Sequence, residues 1–556
     1  MPALYKKSGA LFEKKEFKQI LEYLEEELRR SLSSMKKPGL PRVYYLSYLF
    51  RNQRYEKIWG RLGAVNKHEI NSANTVFCDL RVGSYKYDNL INGGLNDNSD
   101  RDESYDYIAM PEEIHEDSFK FSLWKLTDAR YREAAEQFYD KKTKELHFVD
   151  PFRRLPSRIK RKKEVNLDLK TFAEIDRDYW KHLIRKAGAL IKKYPVIKNS
   201  WFEFSCSHNQ SIIVNSEDSK IFRQSEIFEL RGYLWLLNPQ GEGISQSLNF
   251  IEGDINNLPE EKDFLRMIQE KLDLLCKIEK APVLNSYSGP VLLSPEASGV
   301  FFHEVVGHRL EGSRLLSPEE GSTFRDLYGK MIAPEYIDII DDPTTKKFGA
   351  KKMIGSFDYD DEGTPSVSAV LVEKGMLKNF LTTSAPLPGQ KQMNGHARNQ
   401  SFERPISRMG NLIIKNRKPT SPEEMKALFL EEIRKQKKEF GIRIVNVLGG
   451  ETDTSAYDFQ VFKGEILHAV KVYPDGREEA IRGVDFVGTP LSALDSVLCL
   501  GDDAAMSNSY CGAESGVIPV STVSPSMLMR NLELQSRQRE RYTQYMIPLP
   551  FSGKSK

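Results

Sequence analysis

The chain has 556 residues, too many for one compact core, so two or more domains are expected. Its 81 basic residues nearly cancel its 79 acidic ones, and no long block of one sign occurs, so nucleic acid is not an implied partner. No apolar run of about 18 residues could span a bilayer, and the start MPALYKKSGALFEKKEFKQ lacks the apolar core of a signal peptide. A soluble, cytoplasmic protein without a membrane partner is the expectation, an export signal trimmed from the start being the open alternative. Five cysteines, odd in number, far apart and with no CxxC, do not make a disulfide framework.

In chain order, residues 11–33 place Phe17, Ile20, Leu21, Leu24 and Leu28 at helical spacing among charges, which predicts one amphipathic helix. RVYYLSYLF and NTVFCDLRVGSYKYDN read as paired strands. The polar stretch from Asn92 to Glu116 reads as a long surface loop, with a helix after it. A further helix covers Arg177 to Lys193. Strand-like WFEFSC, SIIVNS, KIFRQSEIFELRGYLWLLN and ISQSLNFIE follow, and the helix in NLPEEKDFLRMIQEKLDLLCKIEKA closes this half. The economical grouping is an α+β N-terminal domain over 1–280, with residues 1–40 as a helical extension, and a β-rich C-terminal domain over 281–556.

The second half opens with the short strand PVLLSP. Ser294 can cap a helix there, Pro295 suits its first position and Glu296 its first turn. YIDIID, VSAVLVEKGMLKNFLTT, DFQVFKGEILHAVKVYPDGREEAI, GVIPVSTVS and MLMRNLELQ read as strands and hairpins, and EEMKALFLEEIRKQKKEFG as a helix.

The helix after PVLLSP carries FFHEVVGHRL, residues 301–310. Zinc hydrolases use H-E-x-x-H, whose histidines return to one face after about 400° of helix, whereas H-E-x-x-x-H leaves its second ring roughly 140° away. His303 and His308 can share a metal only if the backbone departs from α geometry, by a π-type bulge or an early helix end, and Gly307 removes a steric objection to that. The bland alternative is an ordinary His-Glu pair with His308 near a helix end. Against it, the pair sits among apolar VFF and VV, where polar side chains need strong partners.

HEVVGHRLEG, followed by DDEGTP at 360–365 and YCGAESGVIPVSTVSP at 510–525, resembles the TldD/PmbA metallopeptidases. The likeness covers nearly all of residues 285 to 535 and is thinner before that, resting on LRVGSYKYDN and the Gly93, Gly94 pair. It implies a two-domain α+β fold and a His2Cys site for one Zn2+ per chain, with His303, His308 and Cys511 as ligands. Iron or manganese are the alternative metals. It also implies that Glu304 is the general base toward a zinc-activated water. His396, Arg398 and Asp361 are the candidates for substrate contact. His396 is also a conceivable competing ligand, and Asp360, Asp361 and Glu362 could orient ligands or substrate, although such a run is more often a solvated turn. By the same resemblance the substrates are short or unfolded peptides that add as a strand to an exposed sheet edge. A homodimer is expected, or a heterodimer with a motif-lacking paralogue. The rival readings are a non-catalytic peptide-binding or assembly subunit with structural zinc, closed by a fourth ligand such as His396 or Cys499, and hydrolysis of amides other than peptides.

Overall fold

The computed structural model describes residues 14–36, 38–90, 94–95, 110–146, 155–168, 171–317, 320–321, 323–390, 392–455, 460–537, 540–547 and 550. Most of the loop expected from Asn92 to Glu116, Gly93 included, lies outside the described residues. Among the described residues, no helix is long and apolar enough to cross a membrane.

A first sheet is built from residues 43–252. Its antiparallel order is Ala64–Val82, Val43–Arg61, Ile197–Asn215, Lys220–Leu237, and both Gly243–Glu252 and the short Val165–Asn166 pair with the last of these. The two N-terminal strands reach beyond the apolar stretches RVYYLSYLF and NTVFCDL and pair from Val43↔Val82 to Arg61↔Ala64. The polar middle stays extended because Val43–Arg61 is hydrogen-bonded on both sides along most of its length, leaving Ala64–Val82 as a half-solvated edge.

Alternation gives this sheet two distinct faces. Even-numbered Leu46, Tyr48, Phe50, Phe202, Phe204, Phe228 and Leu230 lie beneath four helices, Lys14–Ser34, Glu116–Lys144, Arg177–Leu190 and Glu261–Lys280. Trp180 of the third helix stacks on Phe204 with ring centroids 4.0 Å apart. Odd-numbered Leu49, Phe77, Ile213 and Ile221 form a separate small cluster against Tyr359 of the other half.

Among the described residues, 286–536 make two small two-stranded sheets and two large ones. In one, Gly441–Thr452, Ser286–Leu293, Met527–Ser536, Val484–Gly488 and Phe462–Val472 follow in order, and the last pairs again with Gly441–Thr452, closing a five-stranded ring. The other runs Met376–Leu377, Ala369–Glu373, Ile337–Asp341, Asn411–Asn416, Gly516–Ser524, Ala505–Ala513. The helix Pro295–Phe302 lies between them: Phe301 meets Phe462 of the ring edge-to-face at 5.4 Å, while Ser298 Oγ lies 2.8 Å from Ser524 Oγ of the second sheet.

DDEGTP is not a solvated turn. Asp360 is fully buried and accepts backbone N–H bonds from Glu362, Thr364 and Ala397. Asp361 pairs with Arg51 and Arg223, and Glu362 lies 3.4 Å from Arg158. Arg51 and Arg223 from the odd face of the first sheet, and Arg158 from the segment that precedes Val165–Asn166, make these carboxylates worth burying, so the run is an ionic seam between the two halves.

Candidate metal centre

Ser294 caps the motif helix, its Oγ accepting from Ala297 N–H at 3.3 Å, and Pro295 opens the first turn, as their sequence positions imply. The α-helix ends at Phe302. From His303 to Gly307 the backbone is a π-helix, followed by a 3-10 turn over His308–Leu310. This wider turn absorbs the extra residue of H-E-x-x-x-H and brings the imidazoles to 5.0 Å between centroids, nearly perpendicular at 85°. Gly307 contributes differently from the expectation. Its φ of −53° and ψ of −61° suit any residue, but an added Cβ would lie 2.1 Å from Met409 Sδ, so the glycine is there for close packing.

Cys511 arrives on the strand Ala505–Ala513, with Sγ 3.2 Å from His303 Nε2 and 3.4 Å from His308 Nε2. Tetrahedral zinc with ordinary bond lengths separates a nitrogen and a sulfur ligand by about 3.5 Å. The three ligand atoms lie within 4.8 Å of one another, the one cluster of three or more such donors among the described residues. Donor set and spacing therefore fit zinc. Burial works against a charged thiol, yet His308 and His303 outweigh it and hold Cys511 well below its ordinary value, favouring the thiolate that binds metal.

Around the three candidate ligands lies a ring of charged groups that sequence reasoning missed. Glu311 Oε2 is 3.2 Å from His308 Nδ1, a carboxylate backing this imidazole. Burial pushes the Glu311 carboxyl up, but His308 and Arg314 bring it down to about 2, so it is ionised. Arg314 donates to Glu311, Glu320 and Glu514, tying the motif to the Cys511 hairpin. Arg408 donates to Cys511 Sγ at 3.2 Å. The spacing of His308 and Glu311, one helical turn, could have flagged Glu311. Arg408 had no such signal, since it stands 103 residues before Cys511 and outside any local pattern.

Glu304 Oε2 lies 3.9 Å from His308 Nε2, and burial raises its carboxyl above the ordinary value, an effect His303 and His308 only partly offset. Arg309 fixes the π-turn by donating to the Glu304 carbonyl at 2.6 Å and to Thr452 Oγ1 at 2.6 Å. Gly450 of the ring lets the strand lie against the catalytic candidate, since a Cβ there would be 2.7 Å from Glu304 Cγ.

The other candidates are elsewhere. His396 is fully buried, with Nδ1 2.9 Å from the Asn394 carbonyl and Nε2 3.2 Å from Asp341, so it is not a competing ligand. Its carbonyl accepts from the Arg408 N–H and so helps place that residue's backbone. Arg398 donates to the Met409 carbonyl at 2.6 Å, and burial lowers its guanidinium to about 10. Arg398 and Asp361 line a cavity of about 450 Å³ between the halves, to which His303, His308 and Cys511 do not contribute. Cys499 fills a small apolar cluster with Met425, Phe429 and Ile433. The strand bearing Cys511 is gripped from behind as well: Tyr510 donates to Glu229 at 2.8 Å and Asn508 to the Ile251 carbonyl at 3.0 Å.

Known proteins share this fold and parts of this sequence. Residues 286–536 match the family described as PmbA/TldA metallopeptidase C-terminal domain. A metalloprotease of Methanocaldococcus jannaschii is 30% identical over 260 residues, 46% of this chain and 53% of that protein. A zinc metalloprotease TldD homolog of Saccharolobus solfataricus is 27% identical over 314 residues, 53% of this chain and 65% of that one. The chain spans about half the length of the curated relatives it matches. Among solved structures, TldE from Thermococcus kodakarensis has a TM-score of 0.57 at 15% identity, covering 92% of this chain and 100% of its own, which shows a shared fold. The C-terminal half of the chain, residues 286–536, thus matches the C-terminal domain of the PmbA/TldD metallopeptidases.

Proposed function

We propose that this chain is a zinc-dependent peptidase acting on short or unfolded peptides. The observation that carries the reading is the convergence of His303, His308 and Cys511 within 4.8 Å, with the Glu304 carboxylate beside them. His303 Nε2, His308 Nε2 and Cys511 Sγ would hold the metal. When bound, zinc supplies Lewis acidity, acidifying a water and polarising an amide carbonyl.

The chain's own groups supply the rest. Glu304 takes a proton from the attacking water on its carboxylate and returns it to the leaving amine, and burial, which raises its carboxyl above the ordinary value, favours taking the proton up. Arg309 holds the Glu304 backbone in place. Among the described residues, no strand pairs with the outer edge of Gly441–Thr452 from Val447 to Thr452. That edge passes beside Glu304 and can take an extended peptide by main-chain hydrogen bonds. A cavity of about 850 Å³ next to it, lined by Thr452, Asp453, Phe462 and Glu514 among others, offers room for side chains. A homodimer is part of the same proposal, tested by light scattering.

The structural-zinc alternative needs a fourth protein ligand, and His396 and Cys499 are both engaged elsewhere. The deciding experiment is elemental analysis and cleavage of an unfolded peptide with wild type, Cys511→Ala and Glu304→Gln. Zinc near one per chain in wild type, lost in Cys511→Ala, and kept in a Glu304→Gln variant that no longer cleaves, is the expected pattern. Cleavage by Glu304→Gln at the wild-type rate, or full zinc in Cys511→Ala, would overturn it.

A further inference from the structure

We infer that Arg408 is a positioning residue that tunes the sulfur ligand of the metal centre, an inference that rests on the His2Cys reading above. Arg408 is fully buried. Its Nη2 donates both to Cys511 Sγ at 3.2 Å and to the Cys511 carbonyl at 2.8 Å. Its Nη1 donates to Ser515 Oγ at 2.9 Å and to the Gly516 carbonyl at 3.0 Å, and its Nε lies 3.3 Å from Glu311 Oε1. Glu311 is the same carboxylate that backs His308 through its other oxygen. One guanidinium thus joins the sulfur ligand to the carboxylate behind an imidazole ligand.

The chemistry follows from what a thiolate does to a metal. It donates charge and lowers the Lewis acidity that amide hydrolysis needs. An N–H pointed at the sulfur withdraws part of that donation, and a positive group does so more strongly than a neutral amide. A planar fork is required, because the sulfur, the carbonyl, the turn and Glu311 lie in different directions from one side chain. Lysine presents a point charge and cannot reach them together.

The test uses the full chain loaded with cobalt, in which a thiolate ligand gives a sulfur-to-metal charge-transfer band. Arg408→Met is compared with wild type and with Ser515→Ala, which removes one contact of the Nη1 group and leaves the sulfur contact intact. The expected result is a shift of the band to longer wavelength in Arg408→Met only, with kcat for the zinc form falling by about 10- to 100-fold. A band at the wild-type wavelength in a fully loaded Arg408→Met, or an equal shift in Ser515→Ala, overturns the assignment while leaving the His2Cys site standing. Absence of the band from wild type removes the His2Cys reading and this inference with it. Should Arg408→Met fail to fold, the wild-type cobalt protein decides: exchange into D2O shifts the metal–sulfur stretching frequency if an exchangeable N–H points at the sulfur, and an unmoved frequency overturns the inference.

Discussion

At the scale of single residues, the site depends as much on what is missing as on what is present. Gly307 leaves the space that Met409 fills, and Met409 directly follows Arg408. Gly307→Ala should therefore destabilise the protein by overpacking, by about 1–3 kcal/mol. Chemical denaturation measures this, and Met409→Ala in the same chain should recover part of the loss if the clash is the cause. The cluster of His303, His308 and Cys511, with Glu304 beside it, was legible in the sequence because H-E-x-x-x-H is a compact pattern and Cys511 stands in YCGAESG, part of a stretch that carries the resemblance. Arg408 was not, because its contact with Cys511 spans 103 residues, nor was the tie from Arg314 to Glu514, which spans 200. Gly307 was noticed for the wrong reason: backbone freedom can be inferred from one sequence, whereas a neighbour such as Met409 cannot.

At the scale of elements, the helix caps and most strand positions follow from local chemistry, as at Ser294 and Pro295. The long polar strands were only half legible, since their extended middle is imposed by partners on both sides and not by their own composition. Nor could the sequence show that Gly441–Thr452 pairs along one edge through to Thr452 while, among the described residues, no strand pairs with its other edge beyond Ile444. That open edge leads to a sharp expectation about substrates. Peptides N-methylated at the alternate amides facing the edge should lose most of their cleavage, while methylation at the intervening amides should matter less. A scan of singly methylated peptides measures this, and a flat profile would rule out strand addition.

At the scale of the whole molecule, the ionic seam makes the joint between the halves sensitive to acid. Burial alone would raise the Asp361 carboxyl, but Arg223 and Arg51 hold it at about 2 against an ordinary 3.8. Its folded value is depressed, so its contribution is complete above the ordinary value and is lost as pH falls from about 4 toward about 2. The contribution is about 2 kcal/mol. Denaturation of wild type and Asp361→Asn across this range should show a shallower fall with acid in the variant, which also starts less stable at neutral pH because two arginines lose their partner. Equal slopes would show that this carboxylate does not carry the seam's acid response. The sequence offered DDEGTP as a solvated turn, with Asp361 a candidate for substrate contact, since nothing local reveals that Arg51 and Arg223 of a distant sheet face it.

The strand that carries Cys511 has one further consequence. Its alternate side chains look in opposite directions, the sulfur toward the imidazoles and Tyr510 toward Glu229 of the first sheet. An ion that drew the sulfur into place would also seat the tyrosine, and a strain that unseated the tyrosine would pull on the sulfur. Thermodynamic linkage makes that exchange symmetrical: whatever the metal adds to the grip between the halves, the grip adds in equal measure to the hold on the metal.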